Sequence, residues 1–199
     1  SITTAEHTIA MILSVARRIP EANQSTHLGK WEKAKYVGTE VTGKILGLVG
    51  AGNIGSVVAS RAIGLKMRVL AYDPFLSSEK AMALGVRKVQ TLNELLETAD
   101  FISLHLPKTE KTKNIISTKE INRMKSGAKL INCARGGLVD EEAVALAIDC
   151  GHLGGAAFDV FNVEPAKESC LFGLEKVVCT PHLGASTREA QEKVAVQVA

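Results

Sequence analysis

Ile45-Leu46-Gly47-Leu48-Val49 runs straight into Gly50-Ala51-Gly52-Asn53-Ile54-Gly55, and a helical pattern, Ile54–Ile63, follows. A bare G-x-G-x-x-G is weak evidence, because glycine-rich turns are common. Here the motif has the context that the dinucleotide fingerprint requires: an apolar strand before it and a helix opening after it. Three glycines have three steric uses in such a turn. Gly50 permits the tight bend, Gly52 lets backbone approach a pyrophosphate, and Gly55 lets the helix pack closely on the strand. The N–H groups around Asn53 and Ile54 then face phosphate charge.

Working outward, a second apolar run, Arg68–Tyr72, ends at Asp73, 23 residues after Gly50. That is near the spacing at which a strand-end acid accepts hydrogen bonds from the adenosine ribose. A carboxylate there repels a 2′-phosphate, so NAD(H) is expected over NADP(H). The competing use of Asp73 is as a turn residue before Pro74.

Further runs of strand length lie at Phe101–Leu104, Ala128–Asn132, Gly155–Phe158 and Lys176–Cys179, with helical patterns between them at Leu92–Glu97, Ser117–Met124 and Glu141–Ile148. Strands alternating with helices of this length predict an α/β fold, a doubly wound parallel sheet of the Rossmann type covered on both faces. Two longer helices are expected to bracket it. One is Thr4–Ile19, stopped by Pro20. The other is Ser186–Ala199, with Ser186 as N-cap and Glu189 as its capping-box partner, though Val194, Val196 and Val198 alternate more than they follow a helical face. With Ser1 as its first residue, the chain is expected to be either processed or excised. Both ends are expected to cut through something larger.

Bulk properties set bounds. The 199 residues are 46% hydrophobic and 23% charged, with a formal charge of +3, which suits one core and argues against a nucleic-acid partner. Lys108, Lys111 and Lys113 cluster around Glu110 as a solvated loop. Cys133, Cys150, Cys170 and Cys179 show no C-x-x-C spacing and no companion histidines, so no metal is expected. They read as reduced thiols of a cytoplasmic protein. The apolar run Ile9–Leu13 is too short for a membrane span or a signal h-region.

Three residues follow the later strands: Arg135 after Asn132, Glu164 after Phe158-Asp159, and His182 after Cys179. Ligands of an open parallel sheet bind outside the carboxyl ends of its strands, so all three are expected to face one crevice. Their chemistry is complementary towards a 2-hydroxy acid. An arginine fork grips the carboxylate, a histidine takes the hydroxyl proton as hydride leaves C2, and a glutamate on the other ring nitrogen fixes the tautomer.

The runs Asn132-Cys133-Ala134-Arg135-Gly136-Gly137-Leu138-Val139-Asp140-Glu141, Phe158-Asp159-Val160-Phe161 with Glu164-Pro165, and Pro181-His182-Leu183-Gly184-Ala185-Ser186-Thr187 resemble the signatures of the D-2-hydroxyacid dehydrogenase family. Within it, the cysteine-containing arginine motif and the His182–Gln191 run are most similar to the enzymes acting on 3-phosphoglycerate. The resemblance implies an NAD-dependent oxidoreductase interconverting 3-phosphoglycerate and its 2-oxo product in serine biosynthesis. A glyoxylate/hydroxypyruvate reductase shares the catalytic set, and an NAD(H)-sensing corepressor-type protein shares the fold.

It also implies Arg135, Glu164 and His182 as the catalytic set. Implied cofactor contacts are Gly50, Gly52, Asn53, Ile54, Gly55, Asp73, the loop His105-Leu106-Pro107, Cys133, Ala134, Arg135, Asp159, His182, Gly184 and Ala185. His105 stands between a cofactor wall and a strand-end residue bonding backbone. Asp159 stands between a nicotinamide contact and a strand-end cap. Cys133 is expected as a small buried wall residue. The family carries a second, substrate-binding domain, so residues 4–19 and 186–199 are expected as crossover helices towards it, and the chain alone is expected to turn over poorly. Family members pair through this domain as homodimers or homotetramers. Trp31 is then either an interface anchor or a core residue.

Overall fold

The computed structural model describes residues 1–192. Seven parallel strands form one sheet in the order β3-β2-β1-β4-β5-β6-β7. They are β1 Ile45–Val49, β2 Arg68–Tyr72, β3 Arg87–Lys88, β4 Phe101–Leu104, β5 Lys129–Asn132, β6 Gly155–Phe158 and β7 Val177–Cys179. The six expected strands are present, with β5 and β7 each starting one residue later than expected. β3 was not foreseen: at two residues it carries no periodicity.

Side chains alternate across the strands and so feed two cores. Leu46 and Leu48 of β1 enter one, with Phe101, Ile131 and Ala157. Val49 enters the other, with Ile102, Leu104, Leu130 and Ala156. Helices α1 (Ile2–Arg17), α3 (Asn53–Gly64) and α4 (Ser78–Leu84) cover the first core, while α5 (Leu92–Thr98), α6 (Thr118–Arg123) and α7 (Glu141–Asp149) cover the second. Gly47 is required by the second layer. A Cβ there would lie 2.5 Å from the Leu95 side chain, so only glycine lets α5 sit directly on β1.

Several helix ends differ from expectation, each for a local reason. α1 stops at Arg17, and Arg18 adopts the left-handed conformation (φ 53°), held by its guanidinium bonds to Glu21 and the Lys35 carbonyl. Pro20 then does not stop a helix; it sits in the first turn of α2 (Ile19–His27). There its missing N–H costs nothing, since first-turn N–H groups have no intrahelical acceptor. At the other end, helix begins at residue 188. Its N-cap is Thr187, whose hydroxyl accepts from Ala190 N at 3.2 Å, and not Ser186. The expected pattern at Val194, Val196 and Val198 lies outside the described residues. Trp31, in the segment after α2, is 85% exposed, which removes the core option.

Candidate active site

Strand order reverses between β1 and β4: the chain passes outward from β1 to β2 and β3, then returns to the other side of β1. The carboxyl ends of β1 and β4 therefore splay apart into a crevice. The glycine loop lines it. Gly50 has φ 97°, and a Cβ on it would stand 2.5 Å from the His105 carbonyl oxygen. A Cβ on Gly55 would collide with the Gly50 carbonyl, so the α3 helix is pressed against the loop. In front of Gly52 there is nothing within 4 Å, and no side chain caps the α3 N-terminus. The result is an open approach to uncapped backbone N–H groups at Asn53 and Ile54, the arrangement that suits a pyrophosphate.

Asp73 sits at the end of β2. Its Oδ2 accepts from Ala51 N and its Oδ1 from Phe75 N, both at 2.9 Å. It thus serves the turn and also braces the glycine loop, and each carboxylate oxygen keeps acceptor capacity for a ribose hydroxyl. Across the crevice, Leu106 packs against Gly50, and Pro107 is exposed beside it. His105 is half-buried, with Nε2 3.0 Å from Ser103 Oγ; burial pushes its imidazole down to about 4, so it stays neutral.

After β5, Asn132 folds back on its own loop. Its Oδ1 accepts from Ala134 N and its Nδ2 donates to the Arg135 carbonyl. Cys133 and Ala134 are buried beneath, and burial lifts the Cys133 thiol to about 12, which makes it a wall and not a nucleophile. Arg135 is exposed, with Nη1 bonded at 2.6 Å to the Ala134 carbonyl. Gly136 has no room for a Cβ because the Phe161 carbonyl occupies that space, so the Arg135 loop is wedged against the loop carrying Glu164.

Glu164 and His182 are brought together. Oε2 of Glu164 lies 2.6 Å from Nδ1 of His182, while its Oε1 accepts from Phe161 N at 3.0 Å. Burial works to raise the Glu164 carboxyl. The His182 bond, the Phe161 N–H and the charges of His182 and Arg135 outweigh it and hold the group below its usual range. A carboxylate only accepts, so Nδ1 carries the hydrogen and Nε2 is left to take a proton.

Two expected cofactor contacts, Asp159 and Gly184, are buried. Asp159 has no exposed surface, and its carboxylate holds Leu183 N (2.7 Å), Gly184 N (2.8 Å) and the Thr180 hydroxyl (2.6 Å). The strand-end role describes it, and Gly184 is buried against it, whereas Ala185 next to it is exposed. His7 of α1 also reaches this carboxylate, a contact 152 positions away that no spacing signals. A cavity of about 630 Å³ borders the pair on its β7 side, lined by Phe161, Pro165, Ala166, Phe172 and Cys179 with Glu164 and His182. Neither a glycine-loop residue nor Arg135 is among its lining residues.

The family described as D-isomer specific 2-hydroxyacid dehydrogenase, NAD binding domain, matches residues 9–184. The chain belongs to that family. Among curated relatives, D-3-phosphoglycerate dehydrogenase of Synechocystis sp. is 51% identical over 199 residues, all of this chain and 36% of that protein. D-3-phosphoglycerate dehydrogenase of Bacillus subtilis is 50% identical over 198 residues, again all of this chain and 38% of that protein. Among solved structures, a glyoxylate reductase from Paecilomyes thermophila superposes with TM-score 0.91 at 31% identity, covering 98% of this chain and 59% of that one. As an NAD-binding domain of the D-2-hydroxyacid dehydrogenases, the chain thus spans little more than a third of the curated relatives it matches.

Proposed function

We propose that the protein carrying this chain is an NAD-dependent dehydrogenase of a D-2-hydroxy acid, and that its substrate is 3-phosphoglycerate, oxidised to 3-phosphohydroxypyruvate on the way to L-serine. The observation that carries the chemistry is the 2.6 Å contact between His182 and Glu164 at strand ends beside the dinucleotide crevice. The substrate follows from the two relatives of about 50% identity that bear that name.

NAD, when bound, supplies the hydride acceptor. The chain supplies position and charge. Asn53 and Ile54 N–H groups receive the pyrophosphate, Asp73 the adenosine ribose, and His105, Leu106, Pro107, Cys133, Ala134 and Ala185 form walls. Arg135 grips the substrate carboxylate with its planar fork. His182 Nε2 accepts the C2 hydroxyl proton in oxidation and returns it in reduction. Glu164 keeps His182 in the required tautomer and balances its charge after the proton arrives.

Residues 4–19 and the described start of the last helix, residues 188–192, serve as crossovers towards a substrate-binding domain, whose closure completes the site. Leu28, Trp31 and Val37 are each exposed in the segment that follows α2, and this segment is the surface on which a second copy pairs. The four free cysteines fit a reducing, cytoplasmic setting.

The test is a panel of 3-phosphoglycerate, glycerate, D-lactate and hydroxypyruvate with NAD(H) on the whole protein, run beside Glu164→Gln. The expected result is turnover of the phosphorylated acid, and a drop in kcat of about a hundredfold in the variant with NADH affinity unchanged. Preference for phosphate-free acids would move the substrate to the glyoxylate/hydroxypyruvate reductases. Full activity of Glu164→Gln would remove the pair from the chemistry.

A further inference from the structure

We propose that His7, on the first helix, is a positioning residue that holds the His182 loop in its working shape through Asp159. This rests on the assignment of His182 as proton acceptor. His7 Nε2 lies 3.2 Å from Asp159 Oδ1 and 3.1 Å from Thr180 Oγ1. Asp159 is a carboxylate with no solvent exposure, and the bonds its two oxygens accept come from the loop and from His7. Leu183 N and Gly184 N, the two residues after His182, are both tied to it. His182 itself has φ 54°, a left-handed backbone that non-glycine residues adopt only when their surroundings dictate it. Its own N–H is pinned to the Asp159 carbonyl at 2.9 Å. The carboxylate is therefore the template on which the histidine loop is bent.

His7 completes that template. Oδ1 of Asp159 receives the Thr180 hydroxyl, Leu183 N and His7, while Oδ2 receives Gly184 N. The tautomer of His7 follows from its neighbours. Both atoms facing Nε2 are oxygens, and the Thr180 hydroxyl already gives its hydrogen to Asp159, so Nε2 must carry a hydrogen and donate. Removing His7 takes one of four donors from a buried carboxylate, and the loop held by the other three is the part expected to loosen, because it carries the left-handed residue. The same helix touches the loop a second time. A Cβ on Gly184 would stand 3.3 Å from Thr4 Cγ2. The start of α1 is thus moulded to residues 180–184, which lie 173 positions away at the His7–Thr180 contact.

The experiment is hydrogen–deuterium exchange on the whole protein, comparing the peptide over residues 180–186 in wild type, His7→Leu and His7→Gln. Leucine removes the donor, whereas the glutamine amide can donate from the place of Nε2. Exchange at 180–186 is expected to quicken about tenfold in His7→Leu, with β4 and β5 unchanged, and to return close to wild type in His7→Gln. Turnover should follow the same order, with kcat about tenfold down in His7→Leu and KM for acid and cofactor within about twofold. Unchanged exchange at 180–186 in His7→Leu overturns the proposal. If exchange responds but His182→Gln turns over normally, the positioning contact stands and the catalytic assignment falls. Should His7→Leu fail to fold, the imidazole nitrogen spectrum of the unmutated protein decides: Nε2 bearing hydrogen supports the contact, and a bare Nε2 refutes it.

Discussion

His105 shows how one side chain couples the crevice to acidity. Its imidazole, pushed by burial from 6.5 to about 4, refuses a proton that the unfolded chain accepts. Above pH 6.5 neither state is protonated and His105 adds no pH dependence. Between 6.5 and 4 the unfolded state binds more protons, so stability falls as pH falls, by up to about 1.4 kcal/mol per pH unit for a single site. Urea midpoints between pH 7.5 and 4.5 should therefore drop more steeply for wild type than for His105→Asn; parallel curves would deny the buried imidazole this role. Arg135, Glu164 and His182 were legible as a trio because each follows a strand. Which atoms meet was not: the Nδ1 contact depends on the loop turning back at residues 161–164, held by the Phe161 N–H and wedged by Gly136. Asp159 was legible by position but split between two duties, and its burial decided for the loop.

At the scale of elements, the β1–α3 unit makes a paired test of the glycines. Gly55→Val drives a side chain into the Gly50 carbonyl and should destabilise by about 1–3 kcal/mol, lowering Tm by some ~2–10 °C. Gly52→Val meets nothing within 4 Å, so Tm should hold while NADH binding weakens at least about a hundredfold, because the branched side chain fills the approach to the α3 N-terminus. Calorimetric titration beside thermal melts separates the two, and equal loss of Tm in both would sink the distinction. Continuous apolar runs of strand length made six strands readable. α4 and β3 were missed: Ser78–Leu84 is a seven-residue helix and Arg87–Lys88 is too short to display a period. Pro20 was misjudged because proline breaks a helix interior and opens a first turn equally well. Only the Arg18 backbone, bent by contacts to Glu21 and Lys35, settles which of the two it does.

For the whole molecule, the exposed residues Leu28, Trp31 and Val37 carry the expectation of association. Wild type is expected to sediment as a dimer and Trp31→Asp as a monomer, with the far-ultraviolet spectrum unchanged. Identical sedimentation of the two proteins would place the pairing surface elsewhere. The sequence signalled the sheet and the crevice. It was silent on α1, whose helical pattern was plain but whose partners were not. The helix lies against α3, β5, β6 and β7, and a pattern of apolar positions names a face without naming what that face meets.

The all-parallel sheet also sets the order in which the chain assembles. Among the described residues no two neighbouring strands are joined by a hairpin: Ile45 finds Arg68, Leu46 finds Phe101, and every pairing except β6 with β7 waits for an intervening helix. Such long loop closures make folding slow compared with helical bundles. The last joint is the longest. α1 emerges from the ribosome before the sheet, yet its seat on β6 and β7 exists only after residues 155–179 have been made. During synthesis this apolar helix meets α3 early but lacks its β6 and β7 seat until about residue 179 has been added. Nascent chains are thus most exposed to aggregation, and most in need of chaperone cover, until β7 closes the sheet.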